Sequence, residues 1–455
     1  MGTSKNLEHL ASLGIFDPDE ARRSEDTGTK SPTEHQRSMG HGEQCTQRVS
    51  AKRYFRRCEV LRCTLMSLVV IFTTLARFQQ MEQERSFTSS VKAWFGLLLF
   101  LMAVTLQAQV PVPFTSKDGR FMVFANKRFE KLEPRPAQKF FALEDELVYL
   151  DHTGAMKIFT AEGRTLYLLE PSGVGEIQAS RDRIAWMRSD TLKTILSGSV
   201  KVISNNVAKF TVSDSSIVYL DTAKKTISVW WRNHEETLAE VHEVTAKPQW
   251  SHSGGQVVIL DRTERILWRF HKGELQILCD STDVGIVSVG NGVVGYWDDR
   301  SDQFKVNDGT MDKVVSQLRP VSAKAGNGIL AWVDGAGGLR CWKNGVTHRL
   351  TTDLPSGYWV QDELLLYLDE GELKLFNGTE TMLVEAYVPE RWQVVGNKLV
   401  YLDLNRELHG IVNGKRVRFG TEANIDTFDL YGDAIAYPSP TGFFTVLHGK
   451  RVSTY

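Results

Sequence analysis

The chain has 455 residues, 42% of them hydrophobic and 10% aromatic; that is room for two or three average domains or one large all-β domain, and too apolar for a wholly disordered protein. A formal charge of −1 at pH 7 leaves no global field of the kind that draws a protein to nucleic acid or an anionic membrane. Five cysteines (Cys45, Cys58, Cys63, Cys279 and Cys341) are too few for a disulfide framework.

Residues 1–57 are rich in Ser, Thr, Gly, Arg and Glu with little periodicity, a composition that favours disorder. Residues 63–76 follow as a short apolar run between Arg62 and Arg77. The next feature is "KAWFGLLLFLMAVTLQAQVPVPF", from Lys92 to Phe114. It joins a positive start at Lys92, an uncharged apolar stretch over 93–106, and Ala108 before a cleavage point at Gln109 or Val110. Those are the three parts of a secretory signal, in order. The stretch is short for a membrane span, which needs about 20 residues, and Pro111 and Pro113 disfavour helix continuation. A signal belongs at the start of a chain, and Val91 can supply that start, because a bacterial valine codon can initiate and is then read as methionine. On this reading residues 1–90 are an upstream extension, 91–109 the signal peptide and 110–455 the folded, periplasmic or secreted protein. Read literally, the apolar segments are retained and anchor the protein to a membrane.

Beyond Val110 one marker recurs: an apolar run ending in aspartate, at Asp151, Asp221, Asp261, Asp298, Asp334, Asp369 and Asp403, with weaker copies at Met187 and Ser439. The spacings of 36, 34, 40, 37, 36, 35, 34 and 36 residues define a repeat architecture. An aromatic often opens the strand before the marker (Phe140, Phe210, Trp250, Trp392, Phe428, with Trp359 displaced by one). A tight turn follows it, such as Gly290-Asn291, Gly326-Asn327, Gly396-Asn397 or Gly432-Asp433. After the marker, a third strand ends at a glycine turn in eight of nine copies; Asn344-Gly345, Asn377-Gly378 and Asn413-Gly414 have the type I′ sequence, and the ninth copy has Asn233-His234. A fourth strand closes the unit.

Four short antiparallel strands in about 36 residues resemble one blade of a β-propeller; an α-solenoid would show 3.6-residue periodicity. The resemblance covers 110–455 and is architectural. One Trp-Asp pair, Trp297-Asp298, occurs without the Gly-His element of WD40 repeats, and neither Kelch double glycines nor sialidase-type boxes are present. It implies an all-β propeller of about nine repeats, with eight to ten blades open because "RFMVFANKRFEKLE" at 120–133 reads as a further partial unit. No Pro- or Ser-rich linker divides the array, which favours one large ring over two smaller ones; closure by strand exchange between the ends is a further option.

The aligned aspartates read as strand-end caps of the next turn rather than a carboxylate ring, since a binding site uses blades unequally. The opening aromatics are expected to pack between blades, and Cys279 and Cys341 to be separately buried thiols, with a single bridge between the two as the alternative. The densest charged turns, "DRTER" at 261–265 and "DDRSDQ" at 298–303, supply the ligand-face candidates Arg262, Arg265, Asp298, Asp299, Arg300 and Asp302; the plain alternative is a solvated turn. "DLNRE" from Asp403 to Glu407 echoes alternating calcium ligands but lacks EF-hand spacing, and His152, His252 and His409 stand in no zinc motif. No Gly-x-Ser-x-Gly elbow or phosphate loop is present, so no catalytic residue, metal or cofactor is assigned.

The resemblance implies a rigid ring that meets a protein or glycan ligand through its loops or channel, as a non-catalytic binding or interaction scaffold and not a nucleic-acid binder. Loops at 224–236, 261–265 and 298–310 are the first places to look. The alternatives are an extracytoplasmic glycan-active enzyme with carboxylates at the channel mouth and, if residues 1–90 are retained, a membrane-tethered sensor.

Overall fold

The computed structural model describes residues 110–196, 198–241, 249–261 and 264–455. The upstream extension, both apolar segments, Gln109 and Arg262 lie outside the described residues. Among the described residues thirty-nine strands form ten antiparallel sheets, nine with four strands and one with three. The three-stranded sheet (112–133) is followed by blades at 139–170, 177–204, 207–240, 249–279, 282–316, 322–349, 357–385, 392–418 and 429–454; they are numbered 1 to 10 from the N-terminus. Among the described residues no helix is long and apolar enough to cross a membrane.

The partial unit at 120–133 is a tenth blade. Val112–Thr115, Phe121–Ala125 and Arg128–Glu133 correspond to the second, third and fourth strands of the other blades. Ser116 stands where seven of the other nine blades carry aspartate. Its backbone N donates to Arg120 O (2.9 Å) and its carbonyl accepts from Gly119 N (2.9 Å), repeating the turn in which Asp151 N donates to Ala155 O (2.9 Å) and Gly154 N to Asp151 O (3.0 Å).

Ten blades make ten seams, and each seam holds one apolar cluster. Second strands supply both sides. In blade 7, Ile329, Ala331 and Val333 face blade 8, whereas Leu330 and Trp332 face blade 6. The period-2 alternation of a strand thus divides its residues between two cores, which is why these strands read as unbroken apolar runs. First strands of neighbouring blades contact one another at the inside, and fourth strands form the exposed outer edge. Phe210 and Phe428 are buried in seams, and Trp359 meets Trp392 edge-to-face at 5.3 Å between blades 8 and 9; Phe140, 41% exposed, still packs across its seam, with its ring 5.9 Å from that of Phe121 in blade 1. Cys279 and Cys341 are unbridged and lie in different seams.

The ring closes in a single round. Val112 and Phe124 of blade 1 pack on Ala434, Ala436 and Val446 of blade 10, and Phe114 stacks on Phe444 with centroids 4.0 Å apart. All four strands of the last sheet come from 429–454, so among the described residues closure is by side-chain packing, not strand exchange.

Several turns differ from their sequence reading. Asn344-Gly345 and Asn413-Gly414 have positive φ at both positions, as type I′ requires, but Asn377 does not. The Asn377 side chain instead accepts from Thr379 N (2.9 Å) and Glu380 N (3.0 Å), which opens the loop into an Asx turn. In blade 4 the turn is Arg232-Asn233, one residue earlier than expected. Gly290 and Gly326 are not the left-handed positions; Gly292 and Gly328 are. Gly290 and Gly326 are needed for space, since a Cβ on Gly290 would strike the Gly326 backbone and one on Gly326 would strike Asp362 O. This close approach lets inner turns bond in series: Gly328 N donates to Asn291 O (2.8 Å), Asn327 N to Asp362 O (2.6 Å) and Gly396 N to the Asp362 carboxylate (2.7 Å).

Candidate functional site

Antiparallel connectivity puts the turns after second and fourth strands on one face of the ring, and those after first and third strands on the other. The repeated aspartates belong to the first face. Asp151 accepts from Thr153 N (2.8 Å) and Ala155 N (3.1 Å), Asp221 from Ala223 N (3.0 Å) and Lys224 N (2.9 Å), and Asp334 from Ala336 N and Gly338 N (both 3.0 Å). Their side chains therefore replace missing backbone acceptors in the turn. The second carboxylate oxygen meets a cation on the third strand: Lys157 for Asp151 (2.8 Å), Lys305 for Asp298 (2.6 Å), Lys374 for Asp369 (2.9 Å) and Arg340 for Asp334. Burial opposes ionisation of Asp151, but the hydrogen bonds from Lys157 and Thr153 outweigh it and hold the carboxyl well below the usual carboxylate range.

On the same face, the seam between blades 5 and 6 gathers four of the sequence candidates. Arg265 pairs with Asp299 and donates from Nε to Thr282 O (3.3 Å). Arg300 pairs with Asp280 at 2.8 Å and donates its backbone N to Asp298 (3.0 Å). Asp298 also accepts from Ser281 Oγ (3.0 Å) and Ser301 Oγ (2.8 Å). Asp302 is exposed and serves the turn through its positive φ of 52°. Asp298 is mostly buried and structural; Arg265, Asp299, Arg300 and Asp280 form the half-exposed charge array of this seam. Asp280 escaped the sequence reading because it lies in the connection between blades, far from "DDRSDQ" in sequence and adjacent to it in space.

The opposite face carries a second polar group, on inner turns. Glu144 N donates to Arg181 O (3.0 Å), and Arg181 N donates to the Asp214 carboxylate (3.0 Å), linking the inner turns of blades 2, 3 and 4. Asp182 lies among them. Partial burial, together with the charges of Asp214 and Glu144, raises its pKa above the ordinary carboxylate value. Arg183 beside it is pushed down by burial.

Next to this group His252, on the first strand of blade 5, places Nε2 at 2.8 Å from both Ser213 Oγ and Ser216 Oγ. The two serines are 6% and 0% exposed, so the contact locks a seam and presents no nucleophile. Burial lowers His252 from 6.5 to about 4, with the Arg183 charge adding to the effect. A depressed histidine pKa means that the unfolded chain takes up the proton first as pH falls. The stability it confers is therefore complete above about pH 6.5 and lost progressively towards pH 4, by up to about 3 kcal/mol. Thermal denaturation between pH 7 and pH 4 should show His252→Gln losing less stability on acidification than the wild-type chain; parallel profiles would refute the assignment.

A shallow polar cavity of about 190 Å³ also opens on this face, between blades 8 and 9, against Lys343, Glu363, Asn377, Asn397 and Asn413. Its polar groups are largely spent on one another: Lys343 Nζ donates to Glu363 O (2.8 Å) and Asn377 O (3.0 Å), and Asn397 Nδ2 to Asn413 Oδ1 (2.6 Å).

A family model described as a ten-bladed β-propeller domain matches residues 105–451. The chain belongs to the ten-bladed β-propeller family. No curated protein matches this ten-bladed propeller. Among solved structures it is similar to the computationally designed Ika8 protein, with 14% identity, 61% of this chain and 96% of that one covered, and a TM-score of 0.32. It is similar to PorZ, described as an essential bacterial surface component of the type-IX secretion system of Porphyromonas gingivalis, with 8% identity, coverages of 76% and 59% and a TM-score of 0.24. AztD of Citrobacter koseri has 10% identity, coverages of 58% and 90% and a TM-score of 0.29. Likeness at these levels carries no argument about what the ten-bladed propeller binds.

Proposed function

We propose that the protein is an exported, non-catalytic binding scaffold that meets a protein or glycan ligand through loops on one face of the ring. The observation that supports this best is the seam between blades 5 and 6, where Arg265, Asp280, Asp299 and Arg300 are held in cross-linked pairs at a rigid junction while remaining 30–70% exposed. Fixed, half-exposed charges on a stiff frame suit recognition, because little side-chain entropy is left to lose on binding. Export rests on the signal pattern at residues 92–108. The test is N-terminal sequencing and intact mass of the mature protein from its native host, followed by capture of proteins and glycans from the same compartment. A start at Gln109 or Val110 in a soluble extracytoplasmic fraction, and a captured ligand released by Arg300→Glu and Arg265→Glu, are the expected results. A start near Met1 in the membrane fraction would remove the export reading. A ligand indifferent to both substitutions would remove this seam.

One observation favours a glycan-active enzyme as the second reading. Glu144, Asp182 and Asp214 meet on inner turns of three successive blades, and burial with the two neighbouring carboxylates raises the Asp182 pKa, the direction that favours a general acid. Release of reducing ends from a polysaccharide panel, abolished by Asp182→Asn, is what this reading requires; a panel left intact by the wild-type protein counts against it.

A further inference from the structure

We propose that Asp403 and Glu407, in the turn joining the second and third strands of blade 9, and His409, on the third strand, form a site for one divalent transition-metal ion of the Zn²⁺ class. The site stands out by comparison within the ring. In blades 2, 6, 7 and 8 the strand-end aspartate is neutralised by Lys157, Lys305, Arg340 and Lys374 from the third strand. Blade 9 has His409 in that place, and a second carboxylate, Glu407, two residues before it.

The geometry differs in kind as well. His409 Nε2 lies 3.5 Å from Asp403 Oδ2 and 3.6 Å from Glu407 Oε2. The nitrogen is buried and has no hydrogen-bond partner, and these separations exceed those of a good hydrogen bond. They are close to the spacing of two ligand atoms on one ion, since bonds of about 2.0–2.2 Å at near-tetrahedral angles put neighbouring ligands roughly 3.3–3.5 Å apart. One ligand atom from each of the three residues falls within 4.8 Å of the others.

The three groups are held before any ion arrives. Asp403 Oδ1 accepts from Asn405 N (2.9 Å) and Glu407 N (2.8 Å), leaving Oδ2 directed at His409. Arg418, on the fourth strand, donates to Glu407 Oε2 at 2.7 Å, orienting that carboxylate from outside the set. The remaining cation of the turn, Arg406, is engaged away from the site with Asp426 (2.7 Å) and Glu390 (3.5 Å). One imidazole nitrogen and two carboxylate oxygens suit Zn²⁺ or a neighbouring first-row ion better than Ca²⁺, which takes oxygen ligands. All three side chains are partly exposed, so solvent or a ligand group can complete the coordination.

The test uses the full chain after removal of any polyhistidine tag. Isothermal titration with ZnCl₂, with CaCl₂ as comparison, is run on wild type, His409→Lys and Asp403→Asn. His409→Lys restores the ion pair that blades 2, 6, 7 and 8 already use, so it should fold and melt like the wild type. Expected are one His409-dependent equivalent of Zn²⁺, weaker or absent Ca²⁺ binding, and at least a tenfold loss of Zn²⁺ affinity in both variants. Zn²⁺ binding unchanged in His409→Lys would overturn the proposal. So would absence of Zn²⁺ binding by wild type.

Discussion

Replacing Asn307 by leucine should cost about 3–5 kcal/mol, whereas replacing the arginine it serves, Arg269, by methionine should cost about 1 kcal/mol. Arg269 is 1% exposed between blades 5 and 6. Its guanidinium meets two neutral groups: Nε donates to Gln256 Oε1 (3.0 Å) and one terminal nitrogen to Asn307 Oδ1 (2.6 Å), while the other terminal nitrogen has no partner. Asn307 also accepts from Gly309 N (3.0 Å) and donates to Asp312 (2.8 Å). Leucine there removes all of these bonds and strands a buried cation. Methionine at 269 removes the cation itself, leaving Asn307 bonded to Gly309 and Asp312. Guanidinium denaturation midpoints at unchanged slope measure both costs; equal losses would show that the guanidinium is stabilised by something other than Asn307.

The second large effect is expected at Gly326. Its added Cβ would lie 2.7 Å from Val360 Cγ1 and 3.0 Å from Ile329 Cγ2 as well as against Asp362 O, and Asp362 O is the acceptor for Asn327 N at 2.6 Å. Gly326→Val therefore forces the inner turns of blades 7 and 8 apart and should cost about 4 kcal/mol or prevent folding. Gly328→Ala is the control. Nothing lies within 4 Å of its Cβ, and the only penalty is a φ of +64°, about 1 kcal/mol. If the two variants proved equally stable, the close approach of the blades would not be the reason for glycine at 326.

Much of this architecture was legible in the chain because a blade is a local object. Its strands are consecutive, its turns are two to five residues long, and apolar runs such as that ending at Asp334 announce a strand buried on both faces. Turn details were less legible. Asn377-Gly378 has the type I′ sequence, yet the Asn377 side chain captures two backbone N–H groups and opens the loop. Gly290 and Gly326 looked like turn residues and are instead packing residues, a distinction that depends on the neighbouring blade. The candidate sites divide in the same way. Arg265, Asp299 and Arg300 were visible as charged turns, but their partnership with Asp280 needed blades 5 and 6 side by side. His409 looked isolated because its spacing to Asp403 and Glu407 matches no helical metal motif; on a hairpin the strands fold back and bring residues two to six apart within reach.

The sequence by itself determined the repeat, the four-strand unit, the all-β class and the capping role of the strand-end aspartates, since each follows from interactions a few residues apart. Tertiary structure decided that the fragment at 120–133 completes a tenth blade, that the ends meet through Phe114 on Phe444, and which charges become partners across a seam. Those outcomes depend on how many wedges close a circle and on what each blade presents to the next. Contacts of that kind join residues tens or hundreds of positions apart, and no local pattern encodes them.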